Sequence, residues 1–231
     1  MAVVDISLDG TFQQRSRASG WSNCVAGDGN VYNGAAGGTR VDYIQNADGG
    51  GLFTQDRIHF RFDVGSNVPS DGTITAVSLF LYTDDNSQVV TDSKYLKSKI
   101  AKATSTTLDN TGTAATTWDA IDTSVLHGDY VTVSTTDDAE NEFDFGSGDL
   151  FDYVVAQHAA GGKAAFWHVT QLDLDHASLA PTGANTNQFN WTTDSNPPKL
   201  TVTYTPAPAP PTTKMQIRGG QTKILGNLKV G

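Results

Sequence analysis

Arg57-Ile-His-Phe-Arg-Phe-Asp-Val64 puts Ile58, Phe60, Phe62 and Val64 on one side of an extended chain and His59, Arg61 and Asp63 on the other. That period of two is the pattern of a half-buried strand. A second alternating run spans Ile74 to Tyr82, and Asn196-Pro-Pro-Lys-Leu-Thr-Val-Thr-Tyr204 answers it far downstream. The three segments read as strands of one sandwich. Working outward, the first strand is predicted over Gln55 to Val64 and the second over Ile74 to Thr83. Others are predicted over Tyr95 to Ala103, Tyr130 to Ser134, Ala164 to Leu172, Asn187 to Thr193 and Leu200 to Thr205. Turn-rich segments such as Pro69-Ser-Asp-Gly72 and Asp84-Asp-Asn-Ser87 separate them.

The composition agrees. Hydrophobic residues make up 38%, glycine occurs 23 times, and Ser, Thr, Asn and Asp crowd the gaps between short apolar runs, as in a chain of many strands joined by turns. The 231 residues suffice for one large domain with its own core. One helix is predicted, Asp149 to Ala160, with apolar spacing near 3.6, Asp149 as N-cap and Gly161 as its stop. Its apolar face, Leu150, Tyr153 and Val154, is expected to plug one end of the sandwich. The first 50 residues read as a leading or edge strand, Val4 to Leu8, followed by long Gly- and Asn-rich surface loops.

Pro206-Ala-Pro-Ala-Pro-Pro-Thr-Thr213 lacks the amide donors of a central strand and is expected to be an extended spacer. It divides a body, 1–205, from a tail, 214–231. The tail holds three short alternating units closed by glycine and is too small to fold alone. Met215, Ile217, Arg218, Ile224, Leu228 and Val230 are its candidate assembly residues, pairing with copies of the tail or docking on another chain.

The net charge of −10 is unevenly spread. From residue 206 onward Lys214, Arg218, Lys223 and Lys229 meet no acid, so the tail is +4 and the remainder, 11 basic against 25 acidic residues, is −14. An acidic body argues against general nucleic-acid binding. A basic tail suits an acidic neighbour, or is simply a solvated hairpin. The N-terminus lacks the basic region of a signal peptide, and no run approaches the roughly 18 apolar residues of a membrane span. Cys24 is the single cysteine, which rules out an intrachain disulfide and a thiolate-rich metal site.

The residues from Arg57 to Thr205 resemble DNRLRE-type jelly-roll domains of bacterial surface proteins and phage structural proteins. Arg61-Phe-Asp-Val64 followed by Val68-Pro-Ser-Asp-Gly-Thr-Ile-Thr-Ala-Val-Ser-Leu-Phe-Leu-Tyr82 is similar to that family's R-F-D-L … I-P-x-G-A-T-I-x-x-A-x-L-x-L-Y. Phe189-Asn-Trp-Thr-Thr-Asp-Ser-Asn-Pro-Pro-Lys-Leu-Thr-Val-Thr-Tyr204 is similar to its closing F-x-S … P-x-L-x-V-x-Y. The resemblance implies an all-β jelly-roll sandwich, here with one short helix, a proline linker and a small hairpin-like tail. The tail and the missing secretion signal depart from the surface members. Both point to a virion.

Chemistry is sparse. His59, His127, His158, His168 and His176 form no helical metal motif, and Gly146-Ser-Gly148 is not a nucleophile elbow. Asp84-Asp85, Asp137-Asp138 with Glu140 and Glu142, and Asp173 with Asp175 suit calcium ligation or, more simply, Asx turns. Glu142 with Asp144 can be cast as an acid/base pair. Trp21, Tyr32, Tyr43, Trp118 and Trp191 lie in loop-like sequence, where rings stack on sugars or anchor a core or an interface; Trp167 reads as core. The expectation is a non-enzymatic virion subunit, most simply a capsid decoration protein, with no cofactor except calcium as an option. Its partners would be other virion proteins and its own copies, including a trimer. The alternative is a carbohydrate-binding module or adhesin on a tail fibre or cell surface.

Overall fold

The computed structural model describes residues 1–26, 30–33, 40–45, 53–83, 96–106, 120–174, 185–189, 196–209, 216–218 and 221–223. Over these residues the protein is all-β, built on one curled antiparallel sheet. Its continuous path starts from β7 (Ile121–Leu126), β6 (Lys97–Ala103), β10 (Ala164–Thr170) and β4 (Phe53–Phe62). It continues through β1 (Ala2–Ala18), β12 (Lys199–Thr205), β5 (Thr73–Tyr82) and β9 (Glu140–Asp144). Short strands β2 (Asn30–Asn33), β3 (Arg40–Gln45), β8 (Val131–Thr132) and β11 (Asn185–Phe189) attach to the half containing β4.

The 17-residue β1 belongs to both halves. Ala2 to Ser7 pair with β12, and Leu8 to Ala18 pair with β4. The expected edge strand, Val4 to Leu8, is thus the first part of a long central one, and among the described residues the stretch expected as surface loops includes the rest of β1 and strands β2 and β3. Between Leu8 and Gly10 the register shifts, leaving Asp9 as an extra residue. A one-residue insertion bends a strand and exchanges its faces. Ile6 accordingly points into the core between the halves, whereas Gln14, Ser16 and Ala18 are buried on the opposite face of the sheet. The Asp9 carboxylate accepts from Arg61 Nε at 2.9 Å and lies 2.7 Å from Lys163 Nζ. Partial burial works to raise its pKa, but Lys163 and Arg61 hold it below the usual carboxylate range.

A similar device corrects β5. Ile74 is buried, and so are Val77, Leu79 and Leu81, which strict alternation would place on the other face. A register shift opposite Thr203 and Tyr204 brings both sets inward. With Phe60, Phe62, Phe143, Phe166, Leu200 and Val202 they form the main core. Helix α3 (Asp149–Ala159) closes it with Leu150 and Val154. Its N-cap is Gly148 rather than Asp149, which sits in the first turn, where a negative charge meets the helix dipole. Gly161, at φ +63°, ends the helix as expected.

β4 departs from the half-buried expectation. His59 is fully buried and Arg57 nearly so, because the outer face of this half carries a second core of Ala101, Ala103, Ala165, Trp167 and Val169. Short helices α1 (Trp21–Ala26) and α4 (Gln171–Leu174) flank it, and the segment expected to extend β10 to Leu172 instead turns into α4. The Trp167 ring meets His59 edge-on at 5.0 Å, and its Nε1 donates to the Ala120 carbonyl at 2.8 Å. Asp63 is the N-cap of α2 (Val64–Asn67), accepting from the Ser66 amide at 2.9 Å. Beyond Thr205 residues 206–209 form no helix or strand, and β13 (Gln216–Arg218) pairs with β14 (Gln221–Lys223) as a separate two-stranded sheet.

Two predictions follow from this packing. A Cβ on Gly65 would fall 2.2 Å from the Gly161 carbonyl carbon, where the Gly65 amide donates to Gly162 O at 2.8 Å. Gly65→Ala should therefore cost about 1–3 kcal/mol through forced separation of backbones, read as a lowered urea midpoint. The second concerns His59, whose burial, aided by Arg61, lowers its pKa from 6.5 to about 3. The unfolded chain takes up a proton below about pH 6.5 that the fold refuses until about pH 3. This contribution is complete above pH 6.5 and is lost as the pH falls through that window. His59→Leu should remove a slope of about 1.4 kcal/mol per pH unit from unfolding measured between pH 6 and 4. An unaltered slope in that variant would refute the assignment.

Candidate functional site

The largest concavity described lies beside β9, where a turn after β7 meets the start of α3. β9 alternates: Asn141 and Phe143 face inward, whereas Glu140, Glu142 and Asp144 are exposed. Each carboxylate is held by a donor. Glu140 accepts from Tyr82 Oη at 2.7 Å, Glu142 from Ser78 Oγ at 2.8 Å and Asp144 from the Gly146 amide at 2.9 Å. Gly146 is at φ +53°, a conformation that suits glycine at this tight turn.

His127 braces the opposite wall. Its Nδ1 lies 2.7 Å from the Asp129 carbonyl oxygen and its Nε2 2.9 Å from that of Asp144. A ring with one proton satisfies one of these acceptors and a doubly protonated ring satisfies both. The imidazole thereby ties the turn to the end of β9, with Phe143 against it edge-on at 5.7 Å. Lys99 Nζ donates to the Gly128 carbonyl and lies 4.7 Å from the Tyr130 ring centre, fixing the turn from its other side. The cavity so enclosed measures about 590 Å³. Its floor is Leu126, Val131, Phe145 and Leu150, and its rim carries Asp129, Glu142, Asp144 and Asp149, with no lysine or arginine among the described lining residues.

Such a site favours a cation on an apolar stem. An acid/base role for Glu142 and Asp144 has less support: both are exposed, without the apolar enclosure by which enzymes keep a carboxylic acid protonated. Among the described residues no group of three or more His, Cys, Asp or Glu side chains is arranged to hold a metal ion. Of the acidic clusters proposed for calcium, Asp84, Asp85 and Asp175 lie outside the described residues, as does His176.

A second cavity of about 210 Å³ opens beside α1 and α4 over a buried ion pair. Arg57 Nε donates to Asp173 Oδ2 at 2.8 Å and Nη2 to Oδ1 at 2.7 Å, a two-pronged contact that sequence reading missed across 116 residues. The nearby Cys24 thiol is fully buried, and burial pushes its pKa up to about 11, away from reactive thiolate chemistry.

Of the proposed glycan contacts, Trp21 is the one whose side-chain surroundings the structure describes. Trp21 is only 6% exposed, packed in α1 with Ala18, Cys24, Val25 and Phe53, so it anchors a core and presents no face to a sugar. Tyr32 and Tyr43 belong to strands β2 and β3 rather than loops. Trp118 and Trp191 lie outside the described residues. Of the assembly residues, Ile217 and Arg218 are on β13, while Met215, Ile224, Leu228 and Val230 lie outside the described set. The acidic rim was visible only as a run of charges, since its convergence with His127 depends on the pairing of distant strands.

The chain matches no protein-family model and no curated protein. No helix among the described residues is long and apolar enough to cross a membrane.

Removing one member of the buried pair tests its weight. Asp173→Ala strands the Arg57 charge and should cost about 3–5 kcal/mol, whereas replacing both residues with apolar ones of similar volume should restore most of the loss. Equal urea midpoints for Asp173→Ala and the parent would show the pair to be unimportant.

Proposed function

We propose that this chain is a non-enzymatic structural subunit of a bacteriophage particle, a decoration or accessory protein attached through its terminal segment. The observation that carries the reading is the β13–β14 hairpin, a self-contained two-stranded sheet set beyond a proline-rich stretch. A lone hairpin of this size is marginal in water and gains stability by pairing with another chain. The jelly-roll form of the body belongs to the same proposal. The orders β1-β12-β5-β9 and β4-β10-β6-β7 support it, because they interleave early and late strands as two Greek keys do. The sequence resemblance to DNRLRE-type domains points the same way. In this picture the subunit resides in the virion, with particle proteins and copies of itself as partners.

A glycan-binding role retains one specific support. On the exposed side of β5, Phe80 and Tyr82 are flanked by Lys199, which lies 5.2 Å from the Phe80 ring centre, and by Glu140. Rings edged by hydrogen-bonding groups are the ordinary means of holding a sugar.

The test is truncation after Thr205. Full-length protein should co-sediment with the particle, and the truncated body should lose at least tenfold in occupancy while keeping its circular dichroism spectrum. Undiminished occupancy would make residues 206–231 a passive extension. Retention of the purified full-length protein on a polysaccharide, without any particle, would favour the glycan reading.

A further inference from the structure

We infer that the acid-rimmed cavity beside β9 is the receptor for the basic tail of a second copy of this chain. The inference rests on the assembly role proposed for the tail and names the partner it takes. Its first support is charge complementarity. Asp129, Glu142, Asp144 and Asp149 line a cavity with no lysine or arginine among its described lining residues, while the chain from 206 onward carries four cations and no acid.

The second support is the spacing of those cations. The hairpin register sets Gln216 opposite Lys223 and Arg218 opposite Gln221. Cross-strand partners share a face and residues two apart along a strand do too, so positions 218 and 223 lie on one face of the hairpin. The sequence has a cation at both positions. The apolar floor of Leu126, Val131 and Leu150 suits the aliphatic stems of arginine and lysine, whose heads would reach the rim.

The third support is direction, which selects a second copy over the chain's own tail. β12 runs from Lys199, opposite Phe80, to Thr205, opposite Thr73. The cavity lies at the level of Ser78 and Val77, where Asp144 and Phe145 join β5. The chain therefore leaves the body heading away from its own cavity. Pro206, Pro208, Pro210 and Pro211 follow at once, and proline fixes φ and restricts the backbone freedom of such a stretch. Head-to-tail contacts of this kind close into a ring or continue along a lattice.

Sedimentation velocity on the full chain tests this. Self-association should be concentration-dependent and weaken at least tenfold between 0.05 and 0.5 M salt, since the contact is between screened charges. Glu142→Lys with Asp144→Lys should weaken it at least tenfold, and so should Arg218→Glu with Lys223→Glu. A mixture of the two variants should recover a heterodimer, because the intact tail of one meets the intact cavity of the other. Glu142→Gln with Asp144→Asn should give a smaller loss in the same direction, and near-ultraviolet circular dichroism checks that every variant is folded. Association untouched by reversal of Glu142 and Asp144 would overturn the inference and leave the tail an assembly device acting elsewhere. A full chain that is monomeric at 100 µM would also overturn it. Particle binding that still depends on the tail would then preserve the assembly reading, and binding indifferent to the tail would end both.

Discussion

The fold depends on one strand serving two half-sheets. β1 hydrogen-bonds to β12 along its first third and to β4 along the remainder, and the inserted Asp9 exchanges its faces between them. Without that insertion Gln14 and Ser16 would point into the main core, where Phe60 and Phe62 now pack, and the sheet could not curl around its own apolar residues. Gly10 belongs to the same device: a Cβ there would meet Arg61 Nη2 at 2.7 Å. The Asp9 contacts with Arg61 and Lys163 are partly exposed, so each contributes little to stability. Their weight lies in fixing which residue is the extra one.

That constraint explains what sequence reading could and could not reach. β12 and α3 were legible because each presents one apolar face to one core; in β4 and β5 the alternation identified the strand but showed neither the burial of the outer face of β4 nor the register shift within β5. The length of β1 was hidden, since Thr11, Gln14, Arg15, Ser16 and Arg17 give no apolar period. Its second half is buried against a polar layer on the neighbouring strand. β9 was hidden for the opposite reason. Glu140-Asn-Glu-Phe-Asp144 offers one large apolar residue among charges and read as an acidic turn. Only pairing with Ser78 to Tyr82 makes it a strand. Amid Gly, Ser and Asn, Trp21 could be read equally as an exposed ring or a core anchor; a short helix packs it against Phe53 at 5.9 Å between ring centres.

The outer face of the β4 half shows how polar residues can be buried without a matching ligand. Gln14, Gln55, Arg57 and His59 all lie there, almost wholly enclosed. Arg57 is compensated by Asp173 in two-pronged geometry, and His59 is kept neutral by its surroundings. Pairs of this type contribute modest net stability but penalise any arrangement that separates them. Here the penalty ties α4 to β4, elements 116 residues apart in sequence. It holds the turn after β10 in one place, although Gln171-Leu-Asp-Leu174 has little to make it a helix by itself.

Edge management and recognition come together at β9. The strand ends the continuous path of the sheet, and an uncharged end strand would offer its free backbone to any neighbouring chain. Glu140, Glu142 and Asp144 discourage such pairing, and His127 takes up the Asp144 carbonyl that would otherwise face outward. Glu142 and Asp144 also line the cavity, so under the proposed assembly the charges that discourage indiscriminate pairing would also select a basic partner. An acidic edge repels a second acidic body, and under the assembly proposed above it would admit a short cationic hairpin. The charges are separated along the sequence, −14 before residue 206 and +4 from there on, so the body and the end of the chain carry opposite signs.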